Sequence, residues 1–576
     1  MNRKDLVYSE IIRKNRELAK DFDSDPLNIL LLSNSVIANL KDYIEFDLRS
    51  NGVNAQVDVG DFDNIMQYTF NIQHKVLILF YETWNIYPGF YTETSSKDEK
   101  WFYELEERIK NELTTLIENA NHLPLIVVNT FSAHFSREIP FASSPYNRMI
   151  QNLNRFLSDF DQENLTIFDT DIVYNEISLE NSFSYKHFKL FNSLYTNDFF
   201  RTYSFYLKFL VFDIAGRTKK VLALDCDNTL WKGILGEDGA DQLQMSWGNP
   251  AGKAFCEVQK MIKALAQKGV LIALCSKNNP AEVETLINEH QDMMLRANDI
   301  SVMKINWNNK PENLNQIASE LNVGLDSIVF WDDSDFETEM IREVLPQITT
   351  FKVPDKTDEY PQFFRKQMGW FYRKHITTED LQKTQMVKTH LHRESQRIAF
   401  SNIDDYLRSL KLEIHIETTP SCCIDRISQL TQKTNQFNLS LKRYTSNQIE
   451  ELLNNQDYEI IPIRVTDQFG DYGLTGLAIV LHKDDTVVID TFLLSCRVLG
   501  RHIESSFWDY LMDHLKKKGS LTIHAPYVKT DKNAQVASFF ETMGFERKVK
   551  SDHEIAYFCS THKYVPVNID FIKLRQ

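Results

Sequence analysis

The chain has 576 residues, with 64 Lys+Arg against 80 Asp+Glu, a formal net charge of −16. That balance repels phosphate backbones and excludes a general nucleic-acid binder. Only 18 Gly and 15 Pro, with 12% aromatics, exclude collagen-like, low-complexity and wholly disordered classes. The length predicts roughly three to five domains. The seven cysteines form no CxxC pair and no zinc spacing, so they read as reduced thiols. No apolar run reaches the roughly 18 residues of a membrane span, and MNRKDLVYSE lacks a signal-peptide core. A cytoplasmic protein is expected.

Residues 1–215 alternate apolar runs with amphipathic stretches. The runs are Ile29-Leu30-Leu31-Leu32, Val76-Leu77-Ile78-Leu79-Phe80, Leu125-Ile126-Val127-Val128 and Thr166-Ile167-Phe168. Apolar strands separated by helices predict a parallel sheet covered on both faces. Residues 216–375 repeat the pattern with Val221–Leu224, Val270–Leu274 and Ser327–Trp331, each run ending in polar residues. Residues 376–400 are charged and helical in pattern, which predicts a connector. Residues 401–576 mix helices with alternating strands such as TVVIDTFLLS. The expected fold class is multidomain α/β: two doubly wound parallel-sheet domains followed by an α+β domain.

The sharpest signal is VLALDCDNTLW at 221–231. An apolar strand delivers Asp225, Asp227 and then Thr229. One carboxylate can attack phosphorus while the other protonates the leaving oxygen. Close carboxylates need a cation, and hard oxygen donors favour Mg²⁺. Ser276 ends the next run and can donate to a phosphoryl oxygen. Lys310 can neutralise phosphoryl charge, and Asp332 with Asp333 can complete the metal site. Asp225 and Ser276 are 51 positions apart, and Ser276 and Lys310 are 34 apart. Those intervals hold a flap and a helix or two but no cap domain. The site is therefore open, which suits a large substrate or one presented on an arm.

This ordered set resembles the haloacid dehalogenase superfamily. The flap WKGILGEDG (231–239) and the segment LCSKNN (274–279) resemble its FkbH-like branch. The resemblance implies that a phosphoglyceryl unit from 1,3-bisphosphoglycerate is captured, dephosphorylated and loaded onto the phosphopantetheine thiol of an acyl carrier protein. It also implies metal ligation by Asp225, Asp332 and Asp333 with the Asp227 main-chain carbonyl. This sequence departs from the branch at Cys226, where an aliphatic residue is usual, and at Ser334-Asp335, where Asn-Pro is usual. Neither change removes a metal ligand. Cys275, Cys226 and Cys496 are the candidate thioester carriers, and alternation along the strand points Cys226 away from the aspartates.

In the C-terminal block, a strand followed by Arg497-Val498-Leu499-Gly500-Arg501 and a helix resembles the pyrophosphate grip of Gcn5-related N-acetyltransferases, as does the closing Asn533-x-x-Val-x-x-Phe-Phe pattern. Arg497, Gly500, Arg501 and Asn533 are the implied cofactor-binding residues, for CoA or for a carrier-protein arm. His502 stands where a small residue is usual. Asn435, Asn438, Asp467 and Asp471 lie within the matching motifs, some of them as turn residues. In the N-terminal block, Leu32-Ser33-Asn34-Ser35 and Asn129 resemble SGNH hydrolases, with Ser35 at the nucleophile position and His187 as the late histidine. Ser184 stands where the orienting Asp belongs, so docking or scaffolding is expected there rather than hydrolysis. Alternative readings of the whole are a CoA-dependent N-acyltransferase with an accessory phosphatase, a capless protein phosphatase, and a non-catalytic docking platform.

Overall fold

The computed structural model describes residues 6–61, 64–68, 72–86, 90–134, 144–191, 193–376, 378–381, 384–389, 402–483, 486–530, 533–549 and 554–575. The chain divides into two compact units, residues 1–218 with 368–374, and residues 219–367 with 375–576. Among the described residues no helix is long and apolar enough to cross a membrane.

The first unit is built on a parallel sheet of β1 (Leu27–Ser33), β2 (Ala55–Val59), β3 (Val76–Phe80), β4 (Leu125–Asn129) and β5 (Leu165–Phe168), in the order β2-β1-β3-β4-β5. Four of these are the expected apolar runs. The edge strand β2 reads AQVDV, alternates buried and open positions, and shows no continuous apolar run. Residues 368–374 fold back into this unit. Trp370 stacks on Phe212 with ring centroids 5.5 Å apart, and the Lys374 main-chain N–H donates to Asp213 Oδ2.

The second unit begins with a parallel sheet of β6 (Val221–Leu224), β7 (Leu271–Ser276), β8 (Val302–Ile305), β9 (Ile328–Asp332) and β10 (Thr349–Lys352), ordered β10-β9-β6-β7-β8. One face packs Val221, Ala223, Ala273, Cys275 and Phe330 against Leu314, Ile317 and Ile341 of the covering helices. The other face carries Trp331, ringed by Phe351, Tyr360, Phe363 and Phe364. Three helices that follow its strand ends or flap, Pro250–Gln267, Pro280–Glu289 and Lys310–Glu320, share a start signal. Asn249, Asn279 and Asn309 each accept a hydrogen bond from the first turn, with proline just inside. Those caps fix where each loop leaves the sheet.

The same unit holds a mixed sheet of β11 (Glu413–Ile416), β12 (Phe437–Asn438), β13 (Tyr458–Asp467), β14 (Gly470–Lys483), β15 (Thr486–Leu494), β16 (Thr522–Val528), β17 (Glu546–Val549), β18 (Glu554–Ser560) and β19 (Lys573–Arg575). The order is β17-β18-β16-β15-β14-β13-β11-β19, with β12 on β15. The expected class, two parallel sheets and then α+β, is the one observed. The stretch read as a connector makes specific contacts where it is described. Gln429 Nε2 donates to Asp380 Oδ2 at 2.8 Å, and Lys388 Nζ donates to the Ala297 carbonyl at 2.6 Å. Gly269, at φ +84°, lies so close that a Cβ there would stand 2.1 Å from the Asp380 carbonyl oxygen.

A carboxylate at the start of β13 ties this sheet to the helix Ile503–Lys517. Glu459 accepts from His514 and from Lys518 at 2.8 Å each, and pairs with His482 at 3.1 Å. Burial pushes its carboxyl upward, but the bonds from His514 and Lys518 outweigh that and hold it down at about 2. The folded value lies below the unfolded one of about 4.3, so this stability is present above pH 4.3 and lost as pH falls through 2. Glu459→Gln is expected to lower the stability of this sheet by about 1–3 kcal/mol at pH 7, with the gap to wild type closing between pH 4 and 2. Thermal unfolding followed across that range checks it, and a constant gap would count against the assignment.

Candidate functional site

In an open parallel sheet, ligands gather beyond the carboxyl ends of the strands. At that edge of the second sheet, β6 delivers Asp225 and β9 delivers Asp332 and Asp333. Asp225 and Asp332 are buried, Asp333 is half-buried, and each offers a carboxylate oxygen within 4.8 Å of the others. Lys310, the first residue of its helix, inserts its ammonium between two of them, with Nζ 2.9 Å from Asp225 Oδ1 and 2.5 Å from Asp332 Oδ2. Burial lowers the Lys310 ammonium, but Asp225 and Asp332 overcome it and hold it firmly protonated. The carboxyls of Asp332 and Asp333 are pushed up by burial and by the neighbouring Asp225, against the pull of Lys310. Three carboxylates facing one ammonium leave negative charge uncompensated. A small cation bound by hard oxygens, such as Mg²⁺, fits this donor set.

Asp227 does not join that cluster with its carboxylate. Its Oδ1 accepts from Trp231 Nε1 at 2.9 Å and from the Leu235 main-chain N–H at 3.1 Å, and its Oδ2 accepts from Asn278 Nδ2 at 2.9 Å. Burial raises its carboxyl against these three donors. The reversal after β6 is sharp. Asn228 takes φ +51°, and its Oδ1 accepts the Gly233 N–H at 3.2 Å. Gly233 stands at φ +113°, where a Cβ would meet Asp238 Oδ2 at 2.9 Å. The flap thus folds tightly over Asp227 and orients it.

Ser276 ends β7 and is buried at the same edge. Thr229 is fully buried, and its hydroxyl has no hydrogen-bond partner among the described residues. Asn278, Trp231 and the Leu235 N–H carry no role in the sequence reading. Asn278 lies inside the quoted LCSKNN, but its side-chain direction is set by the loop and not by strand alternation.

The thiols are placed differently. Cys275 lies on the core face with Ala273, has no exposure, and its thiol is pushed well up by burial. Cys226 is equally buried, and burial and Asp225 push its thiol up as well. Neither is presented as an accessible thiolate. Cys496 opens the short turn Cys496–Val498, and its side chain lies outside the described residues.

Of the expected cofactor residues of the mixed sheet, Arg497, Arg501 and Asn533 hold other parts of the chain, while Gly500 is exposed. Arg501 is buried, with its guanidinium 4.9 Å over the Tyr472 ring and a hydrogen bond to the Tyr472 hydroxyl. Arg497 Nη1 donates to the Tyr472 carbonyl at 3.2 Å. Asn533 has no exposure. It donates to the Val528 and Asn438 carbonyls and accepts from the Thr530 N–H, so it ties main chain together. Gly500 and His502 both take left-handed conformations at φ +71° and +61°, and the helix Ile503–Lys517 starts without a side-chain cap.

In the first unit, Ser35 is buried, and among the described residues its hydroxyl has no hydrogen-bond partner, the exposed His187 included. His187 and Ser184 line a cavity of about 220 Å³ with Tyr195. Asn129 instead accepts from the Tyr81 N–H at 2.9 Å. The residue the sequence reading missed is Glu82, directly beyond β3. It is 2% exposed, accepts from Tyr195 at 2.6 Å, and its main chain is clasped by Asn34. A carboxylate just past an apolar run was the available signal.

The parallel sheet with its aspartates at the carboxyl edge has a counterpart among solved structures. The chain is similar to the N-terminal part of protein BF1531 from Bacteroides fragilis, described as containing a phosphatase domain complexed with Mg. The identity is 22% and the TM-score 0.57, over 64% of this chain and 100% of that one. At that identity the likeness shows a shared fold. Shorter matches include the ribosomal-protein-S18-alanine N-acetyltransferase of Escherichia coli, 12% identical over 27% of this chain and 97% of that one, with a TM-score of 0.21. The PaiA N-acetyltransferase of Thermoplasma acidophilum, in complex with coenzyme A, matches at 15% identity over 26% and 98%, with a TM-score of 0.20. No protein-family model matches the chain, and no curated protein does.

Proposed function

We propose that the chain is a Mg²⁺-dependent phosphatase whose phosphoryl chemistry serves acyl transfer to a thiol. The observation that carries the reading is the cluster of Asp225, Asp332 and Asp333 with Lys310 between two of its members. Asp225, Asp332, Asp333 and the Asp227 main-chain carbonyl would hold the ion, which supplies charge neutralisation for the phosphoryl oxygens. Asp225 attacks phosphorus, forming an O–P bond as the bond to the leaving oxygen breaks. Asp227, steadied by Trp231, Leu235 and Asn278, gives its proton to that oxygen. A water then gives a proton to Asp227 and attacks the phosphoaspartate, releasing phosphate and restoring Asp225. Ser276 and Lys310 hold the transferring phosphoryl group.

The finer reading is that a thiol attacks the acyl carbon of 1,3-bisphosphoglycerate, forming a thioester as the acyl phosphate leaves, that the remaining phosphate ester is cleaved at Asp225, and that glyceryl ends on the phosphopantetheine thiol of an acyl carrier protein. It is supported by the flap and loop sequences and by the turn at 497–501 that leads from β15 into the helix Ile503–Lys517. The test is intact-mass spectrometry of the protein with Mg²⁺, a 1,3-bisphosphoglycerate-generating system and phosphopantetheinylated carrier protein. A glyceryl adduct on the carrier, lost with Asp225→Asn, is expected. Free phosphate release without any adduct would reduce the reading to a phosphatase. Acetyl-CoA turnover indifferent to Asp225→Asn would favour an N-acyltransferase instead.

A further inference from the structure

Large apolar side chains are unevenly exposed around the acidic site. Between residues 219 and 367 they are Ile234 (39%), Trp247 (55%), Trp307 (75%), Phe336 (69%) and Val344 (55%). All but Val344 stand on the segments that leave the carboxyl edge of the sheet. Ile234 is on the flap beside Leu235, whose N–H holds Asp227. Trp247 is on the flap's return limb, which is bridged to its outgoing limb at Lys232–Gln244. Trp307 lies three residues before Lys310, and Phe336 three residues after Asp333. A mouth rimmed by exposed aromatics is unusual on a freely soluble surface and marks a place where another molecule sits.

The charge beside the rim says what kind. Lys253 and Lys260 are seven residues apart on the helix Pro250–Gln267 and so share one face. Their ammonium groups lie 5.9 and 4.6 Å from the centre of the Trp247 ring. Both are exposed, and neither is paired with a carboxylate among the described residues. Glu257, between them on the same face, is paired with Arg365, so in a chain of net charge −16 this is a local basic and aromatic patch beside the flap. Two lysines are too few to track a nucleic-acid backbone, and the overall charge repels one. An aromatic anchor flanked by cations suits an acidic protein surface.

We propose that this rim docks an acidic protein that presents the phosphorylated group to Asp225, a proposal that rests on the phosphatase reading of the same site. The test uses the full chain and fluorescein-labelled phosphoserine peptides of equal length, one flanked by aspartate and leucine, one by lysine and leucine. A labelled single-stranded oligonucleotide matching the acidic peptide's charge is the third probe. Fluorescence anisotropy is expected to show the acidic peptide binding at least about tenfold tighter than the basic one, against the global charge. K253E/K260E should abolish that preference, K253R/K260R should keep it, and Trp247→Ala should weaken the acidic peptide about fivefold. Equal binding of the two peptides, an unchanged preference in K253E/K260E, or an oligonucleotide bound as tightly as the acidic peptide would overturn the proposal. Binding is read without turnover. Absent hydrolysis of p-nitrophenyl phosphate by the wild-type chain therefore fails the phosphatase reading separately from the docking.

Discussion

Asp225→Asn is expected to lower Mg²⁺-dependent release of phosphate from p-nitrophenyl phosphate by at least about a thousandfold. The amide cannot form the O–P bond and brings no charge to the cation cluster, while it keeps the size of the buried group. Chelation with EDTA is expected to silence the wild type equally, since the single Lys310 ammonium does not balance Asp225, Asp332 and Asp333 when they face a phosphate. Stopped-flow phosphate release with and without Mg²⁺ measures both. An Asn variant within tenfold of wild type would move the nucleophile to another group. The variant is expected to fold normally, because the β6 main chain is held by its neighbours, as in the Asp225 N–H bond to the Trp331 carbonyl at 2.9 Å.

The second large effect lies in the other unit and concerns pH. Burial pushes the Glu82 carboxyl up to about 8, against the hydrogen bond from Tyr195. The folded value exceeds the unfolded value of about 4.3, so the stability from the protonated group is complete below pH 4.3 and is lost as pH rises through 8. Between pH 5 and 9 the wild-type unit is expected to lose on the order of a few kcal/mol relative to Glu82→Gln, whose amide keeps the shape without titrating. Hydrogen exchange at the amides of β3 and β4, corrected for intrinsic rates, reads this unit alone. Parallel pH curves for wild type and variant would show that Glu82 ionises freely in the fold.

The buried strands were legible because a strand covered on both faces must be apolar along its length, as in VLILF and VLAL. In the two parallel sheets the strands that escaped were edges. AQVDV, VMKI and TTFK carry polar residues where one side meets solvent or a loop, so no continuous run marks them. The acidic cluster was legible for a related reason, since Asp225, Asp332 and Asp333 directly follow apolar runs. The donors on Asp227 were not, because Trp231, Leu235 and Asn278 reach it through a folded flap and a loop. Cys275 shows a rule left unapplied. The alternation that turns Cys226 from the aspartates also sets Cys275 on the core face with Ala273. Arg501 shows the reverse case, a motif residue whose side chain is claimed by Tyr472.

The return of residues 368–374 to the first unit has a consequence for the order in which the chain matures. The helix Asn197–Ile214 presents Phe209 and Phe212 to Trp370, and Lys374 reaches the Leu165 carbonyl. The ribosome finishes the helix long before it supplies those partners. At about 5–20 residues per second the intervening stretch takes roughly ten to thirty seconds. For that time the nascent unit carries an uncovered aromatic seam, a natural landing place for a chaperone. A fragment cut at 215 would carry the same seam permanently, so an isolated N-terminal piece needs the 368–374 segment grafted back.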